Sequence, residues 1–364
     1  MEILWLLMTA ALLGVLVTHF LRRGRGGGIR LAEPGSPDAA DPAAYGFARQ
    51  EDLDVRLPGP DQDLVDVVEH LERTQEWQVA AQLLATTPKE GELRWQRVAS
   101  LAGAAALALA QQPGAGGRWL REWRIAAPKD AGGAAVHAEF LVQQAWRNQG
   151  EDRRILLEEA RAAVAEAALL APGDPVPYVV DLNVARGLGD ARAEFDQLWL
   201  KILDRDPAHM GAHLAALHYW CEKWHGSRKD ALAFAEAAAA RAPQGSLLAA
   251  LPLFAEFESI PEVMGTDIYA SASIRRAVAG ALHTAHAARP DNPALPHVRH
   301  LLIHFLIRGD RWSEAMHQIV AVDGFVGALP WTHSPDPAAA YALERALAVA
   351  GYEANGGSPA RLMG

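Results

Sequence analysis

Residues 160–172 read Ala160-Arg161-Ala162-Ala163-Val164-Ala165-Glu166-Ala167-Ala168-Leu169-Leu170-Ala171-Pro172. The stretch is a helix that a proline stops, and the stop recurs. Leu-Leu-Ala-Pro172, Asp-Arg-Asp-Pro207 and Ala-Arg-Ala-Pro243 lie 35 and 36 residues apart, and Ala-Ala-Arg-Pro290 follows 47 later. Each proline closes a helix that reads as the second of a pair. Small residues stand five positions earlier at Ala167, Ala238 and Ala285, with Ile202 the exception, and twelve earlier stand Ala160, Phe195, Ala231 and Val278. Short side chains at such places let the two helices of a hairpin approach closely.

Working outward, the helical period begins near Asp61 and holds almost to the C-terminus. Apolar residues recur at three and four, as in Leu64, Val67, Val68 and Leu71, then Val79, Leu83 and Leu84. No stretch alternates with period two, so the expected class is all-α, built from stacked helical hairpins. The proline spacing and small residues resemble the second half of the tetratricopeptide repeat, a helix–turn–helix unit of about 34 residues. Its first half, with Trp, Leu-Gly and Tyr, is absent at the matching positions. Lys223-Trp224-His225-Gly226-Ser227 also resembles a Lys-Trp-x-Gly-Ser element of an uncharacterised bacterial helical-hairpin family. Within it Gly226 is expected at positive φ, and Ser227 is expected to cap the next helix. The expected divisions are N-terminal hairpins over 61–130, repeats over 131–352, a last helix near Pro337–Gly351 and a frayed tail over 353–364.

The N-terminus reads differently. Ile3 to Leu21 carries no charged residue, and Arg22, Arg23 and Arg25 follow at once. As a helix it rises roughly 28 Å, close to the ~30 Å hydrocarbon core of a bilayer. Basic residues only on its C-terminal side suit a single-pass anchor rather than a cleaved signal, and they place the rest of the chain in the cytoplasm. With arginine far outnumbering lysine, a bacterial inner membrane is the expected location. Residues 24–60 hold Gly26-Gly27-Gly28, Pro34-Gly35-Ser36-Pro37 and Pro58-Gly59-Pro60, and they read as a flexible tether.

The net charge is −10, and residues 1–30 contribute +3, which leaves −13 on the remainder. A domain so acidic repels phosphate backbones, so nucleic acid is not an expected partner. The one cysteine, Cys221, can form neither an internal disulfide nor a cysteine-rich zinc site.

Candidate chemistry concentrates in histidine. His297, His300 and His304 share one helix face, and His283 and His286 end the helix before, so the five are the candidate metal ligands. No His-Glu-x-x-His is present, and no cofactor is expected. His218, Cys221 and His225 make a second set on one face. Ser259–Ser273 interrupts the last interval as an insertion, and within it Met264, Asp267 and Tyr269 are the candidate partner-binding residues. The leading expectation is a membrane-anchored, non-enzymatic scaffold that binds a protein or peptide with basic residues. Its rival is a helical domain that binds a metal or small ligand through the His283–His304 cluster.

Overall fold

The computed structural model describes residues 41–89, 91–260 and 266–362. The expected anchor, Ile3–Leu21, lies outside them. Among the described residues no helix is long and apolar enough to cross a membrane. They are helical throughout, with no strand and one isolated bridge, Asp54 to Phe325.

The chain divides into two compact units. Of the described residues, one unit comprises 59–89, 91–260 and 277–298, and the other 41–58, 266–276 and 299–362. The boundary expected at 130 is absent, because helices on both sides of it pack together. The continuous array expected over 131–352 is also corrected. Its last helices share a core with residues 41–58 instead.

The first unit holds α1 (Gln62–Thr74), α2 (Gln78–Thr86), α3 (Glu92–Gln111), α4 (Arg118–Ala126), α5 (Ala131–Arg147) and α6 (Gly150–Leu170). It continues with α7 (Val176–Leu188), α8 (Arg192–Leu203), α9 (Met210–Trp220), α10 (Arg228–Ala240) and α11 (Leu251–Ser259). Asp61 starts the series where expected, its carboxylate accepting from Leu64 N at 3.2 Å. Successive helices pack pairwise, and the α5–α6 hairpin is the most extensive pair. Its seam is short-chained: Ala138, Ala145, Ala160 and Ala167 are completely buried. Buried arginines fasten the flanks. Arg97 of α3 chelates Asp61 with two bonds of 2.8 Å, and Arg94 reaches Asp174 and the Leu84 carbonyl.

The residues counted from each proline fall largely as expected. Ala160, Phe195, Ala231 and Val278 are all buried, as are Ala167, Ile202 and Ala285. Ala238 is only half-buried; on α10 the sealed positions are Ala231 and Ala235.

The second unit corrects the tether over residues 41–58, while residues 24–40 lie outside the described residues. Residues 41–58, full of prolines and turns, form two short 3-10 turns, Pro42–Tyr45 and Gln50–Asp52. They bury Tyr45, Phe47, Leu53 and Leu57. Breakers prevented helix formation without preventing packing, because distant groups satisfy this backbone. Asp323 accepts from Ala48 N at 2.6 Å, and Arg345 donates to Ala48 O at 2.7 Å and to Asp323 at 2.6 Å. Gly327 N donates to Leu57 O at 2.8 Å, and any Cβ on Gly327 would stand 2.6 Å from Leu57 N. The helices here are the C-terminal part of α13 (Leu295–Arg308), α14 (Trp312–Val322), α15 (Pro337–Ala354) and the last turn α16 (Pro359–Leu362). The helix Ala272–Ala287, α12, contributes residues to both units, as does α13. The tail expected to fray from residue 353 makes hydrogen bonds within 353–362, and residues 363 and 364 lie outside the described residues. Glu353 closes α15 and accepts from Tyr45 OH at 3.1 Å, and Arg361 folds back onto the Gly356 carbonyl.

Two substitutions test this account. Ala235→Leu should overpack α10 and cost about 1–3 kcal/mol, while Ala238→Leu should cost clearly less. Equal denaturation midpoints would reverse that order. Arg345→Ala leaves Asp323 and the Ala48 carbonyl without their cation and should cost about 3–5 kcal/mol. Limited proteolysis should then cut first within residues 41–58.

Candidate functional site

The turn between α9 and α10 is the Lys223–Ser227 element, and each of its residues has a definite role. Ser227 caps α10 as expected, its Oγ accepting from Asp230 N at 3.2 Å. Gly226 does not take the positive φ expected of it. It is glycine because a Cβ there would stand 2.2 Å from the Trp220 carbonyl oxygen. His225 donates from Nε2 to the Arg186 carbonyl at 2.8 Å. Trp224 lies against the Arg186 guanidinium, 4.8 Å from ring centre to Cζ, and Lys223 pairs with Glu258 of α11.

These contacts converge on Arg186, near the end of α7. Trp146 of α5 stands 5.0 Å from its Cζ, and the Trp146 and Trp224 rings meet at 66° with centroids 5.4 Å apart. The guanidinium sits in the corner between them, where ring faces attract a cation. Among the described residues it has neither an ion pair nor a hydrogen-bond acceptor. Its Nε is sealed from solvent without a partner, whereas neither terminal nitrogen is sealed in that way. Burial pulls this guanidinium down to about 10, still protonated at neutral pH, with Glu258 and other anionic neighbours resisting the shift.

Two carboxyls lie nearby in contrasting states. Burial alone would push Glu258 up, but hydrogen bonds and charge from His218, at 3.3 Å, and from Lys223 bring it down to about 2. Burial pushes Glu139 of α5 up to about 7, against a hydrogen bond from Gln143 at 2.9 Å and the charge of Arg186. Glu139 Oε2 is buried with no partner.

The histidine–cysteine set does not form as expected. α9 ends at Trp220, so Cys221 is its C-cap and His225 lies beyond the helix. The Cys221 thiol donates to the Leu217 carbonyl at 3.4 Å, and burial pushes it up to about 11. A thiol so held is a poor nucleophile at neutral pH.

The five candidate metal ligands are not brought together either. Among the described residues no group of three His, Cys, Asp or Glu is placed to hold a metal. His283 and His286 are exposed. Burial pushes His297 down to about 4 and His304 well below its ordinary value. His300 is fully engaged: Nδ1 accepts from Trp331 Nε1 at 3.0 Å, which leaves Nε2 to donate to the Pro58 carbonyl at 2.9 Å. Of the insertion residues, Met264 lies outside the described residues and Asp267 falls in the turn Thr266–Ala270. Tyr269 is half-buried, edge-on to Phe305 at 5.7 Å and within 5.8 Å of the Arg308 guanidinium.

A separate cleft of about 440 Å³ is lined by Gly91, Glu92, Asp206, His209, Arg289 and Asp291, among others. Glu92 accepts there from the backbone N–H groups of Met210 and Gly211 at the start of α9, and His209 Nδ1 accepts from Ala212 N at 3.1 Å. These bonds cap the helix.

Glu139 supplies the check on this site. A carboxyl whose folded value, about 7, exceeds its ordinary 4.5 stabilises the fold fully below 4.5 and loses that contribution as pH rises through 7. Glu139→Gln keeps the acceptor for Gln143 and removes the titration. Relative to wild type it should gain about 1–3 kcal/mol between roughly pH 5 and pH 8. Parallel denaturation midpoints across that range would refute a buried neutral carboxyl. No family model, curated protein or solved structure matches the chain, so the reading of this site rests on its geometry.

Proposed function

We propose that the chain is a non-enzymatic interaction scaffold. It would bind another polypeptide through the surface around Arg186, and the charge-free segment 3–21 would hold it at a bacterial inner membrane. The helical hairpins of residues 131–261 would then be a divergent tetratricopeptide-like array, a class whose usual work is recognition of other chains. The observation that carries the reading is the Arg186 guanidinium. It is immobilised by two tryptophans, stripped of part of its hydration and, among the described residues, has no ion pair or hydrogen-bond acceptor. Within one fold most buried cations have carboxylate partners, as Arg94, Arg97, Arg308 and Arg345 do. An arginine held rigid and unpaired is characteristic of a contact that a partner completes.

The groups best suited to covalent chemistry support the same reading by being engaged elsewhere. Cys221 donates to a carbonyl, His300 bridges Trp331 and Pro58, and His218 holds Glu258. The overall acidity would steer basic stretches of a partner toward the chain.

Photo-crosslinking in cells tests the scaffold. A crosslinking amino acid at exposed Glu222, beside the site, should give a discrete adduct, and one at Leu169, 81% exposed on α6, should not. Identical patterns at the two positions would overturn the proposal. Carbonate extraction of the full-length chain tests the anchor: release into the supernatant would remove the membrane from the reading.

A further inference from the structure

Resting on that reading, we infer that Arg186 is a seat for a single carboxylate, presented by an acidic side chain within an otherwise neutral or basic segment of the partner. The chemistry of the site selects this ligand. A guanidinium offers a planar fork of donors that matches a carboxylate with two parallel hydrogen bonds. Here the plane is fixed before any ligand arrives. Trp146 and Trp224 pack against it at 5.0 and 4.8 Å, and its backbone carbonyl is tied by His225. Little rotamer freedom remains to be lost on binding, which favours affinity. Nε is the nitrogen sealed without a partner, the terminal nitrogens are not, and among the described residues no carboxylate forms an ion pair with them. Glu258, the ionised neighbour, is already occupied by Lys223 and His218.

The same surroundings argue against other anions. Phosphate dianions and runs of acidic residues would meet the negative field of Glu258 and of a chain at −10. One carboxylate flanked by basic or neutral residues meets the fork with least repulsion, and its flanking cations face an acidic surface. Arg153, whose Cζ lies 5.4 Å from the Trp146 ring centre, adds a second cation beside the clamp, with no ion pair among the described residues.

The test uses the purified full-length chain and labelled peptides of the pattern Lys-Gly-Glu-Gly-Lys, the same peptide with Gln for Glu, and a polyglutamate peptide. The Glu peptide should bind at least tenfold more tightly than the Gln peptide. Arg186→Gln should abolish that preference while the melting temperature stays near wild type. Acetate should compete weakly and inorganic phosphate no better. Equal affinity for the Glu and Gln peptides overturns the carboxylate seat yet leaves the Glu222 crosslink to decide the scaffold on its own. Stronger competition by phosphate, or tighter binding of polyglutamate, also overturns it by showing that total negative charge is what is read. Should Arg186→Gln lose the fold, Arg186→Lys carries the test, since it keeps the charge and loses the fork. The Glu preference should then fall several-fold, and an unchanged preference refutes the inference.

Discussion

Ala160 and Ala163 of α6 share one buried cluster with Ala138, Leu141, Val142 and Ala145 of α5, and Ala138, Ala145 and Ala160 are completely buried there. Close approach of alanine faces is the constraint on which the rest of this unit depends. An alanine buries little area of its own, so the gain comes from backbone-to-backbone proximity and dense dispersion contact. Helices set so close leave grooves at their flanks, and long polar side chains bridge them. Gln143 reaches the Ala99 carbonyl at 3.1 Å and Arg147 reaches Ala106 at 2.6 Å. The arginine-rich, lysine-poor composition fits this architecture, because a planar fork can satisfy two acceptors from one buried position.

Arginine therefore acts as the internal fastener in both units, and Arg186 departs from the pairing pattern of the others. Arg345 joins Asp323, the Ala48 carbonyl and the ring of Tyr341 into one hub that orders residues 41–58. Arg308 forms two bonds to Glu344 at 2.7 and 3.0 Å. Arg186 is half-buried against two aromatic rings, but without an acceptor among the described residues. Aromatic faces attract a cation without satisfying its N–H groups, so the clamp fixes the guanidinium and leaves its donors available.

What the sequence made legible was chemistry local to the backbone. Asp61 and Ser227 announced helix starts, and Pro172, Pro207, Pro243 and Pro290 announced stops, because caps and breakers act within a few residues. The segment 41–58 was misread for the complementary reason. Its prolines correctly denied a helix, but the groups that fold it, Asp323 and Arg345, stand about 275 and 297 positions away from Ala48. The Lys223–Ser227 element was visible as a turn, and its role as the support of Arg186 was not. A trace of the site did exist. Arg186 follows Val179 and Leu182, and Glu258 follows Leu251, Phe254 and Ala255, each at the spacing of an apolar stripe. A charge on such a stripe marks a buried ion, and the partner it lacks or finds is decided by tertiary contacts. The histidine spacing gave the opposite lesson. His297, His300 and His304 do share α13, but Trp331 and Pro58 take both nitrogens of His300.

Burial in this protein moves titratable groups toward their neutral forms in several places, raising Glu139 and Cys221 and lowering His213 and His297. A catalytic centre exploits such shifts by opening the shifted group to a substrate. Here Cys221 and His213 are sealed and hydrogen-bonded to carbonyls of their own helix, which stabilises packing and offers no reacting atom to a ligand. Arg186 departs from that pattern in two respects: it keeps its charge, and its terminal donors have no acceptor among the described residues without being sealed as Nε is. Recognition needs a fixed charge at an open edge, whereas proton transfer or nucleophilic attack needs a group that changes state there. The site around Arg186 provides the first condition, and the proposed binding role rests on it.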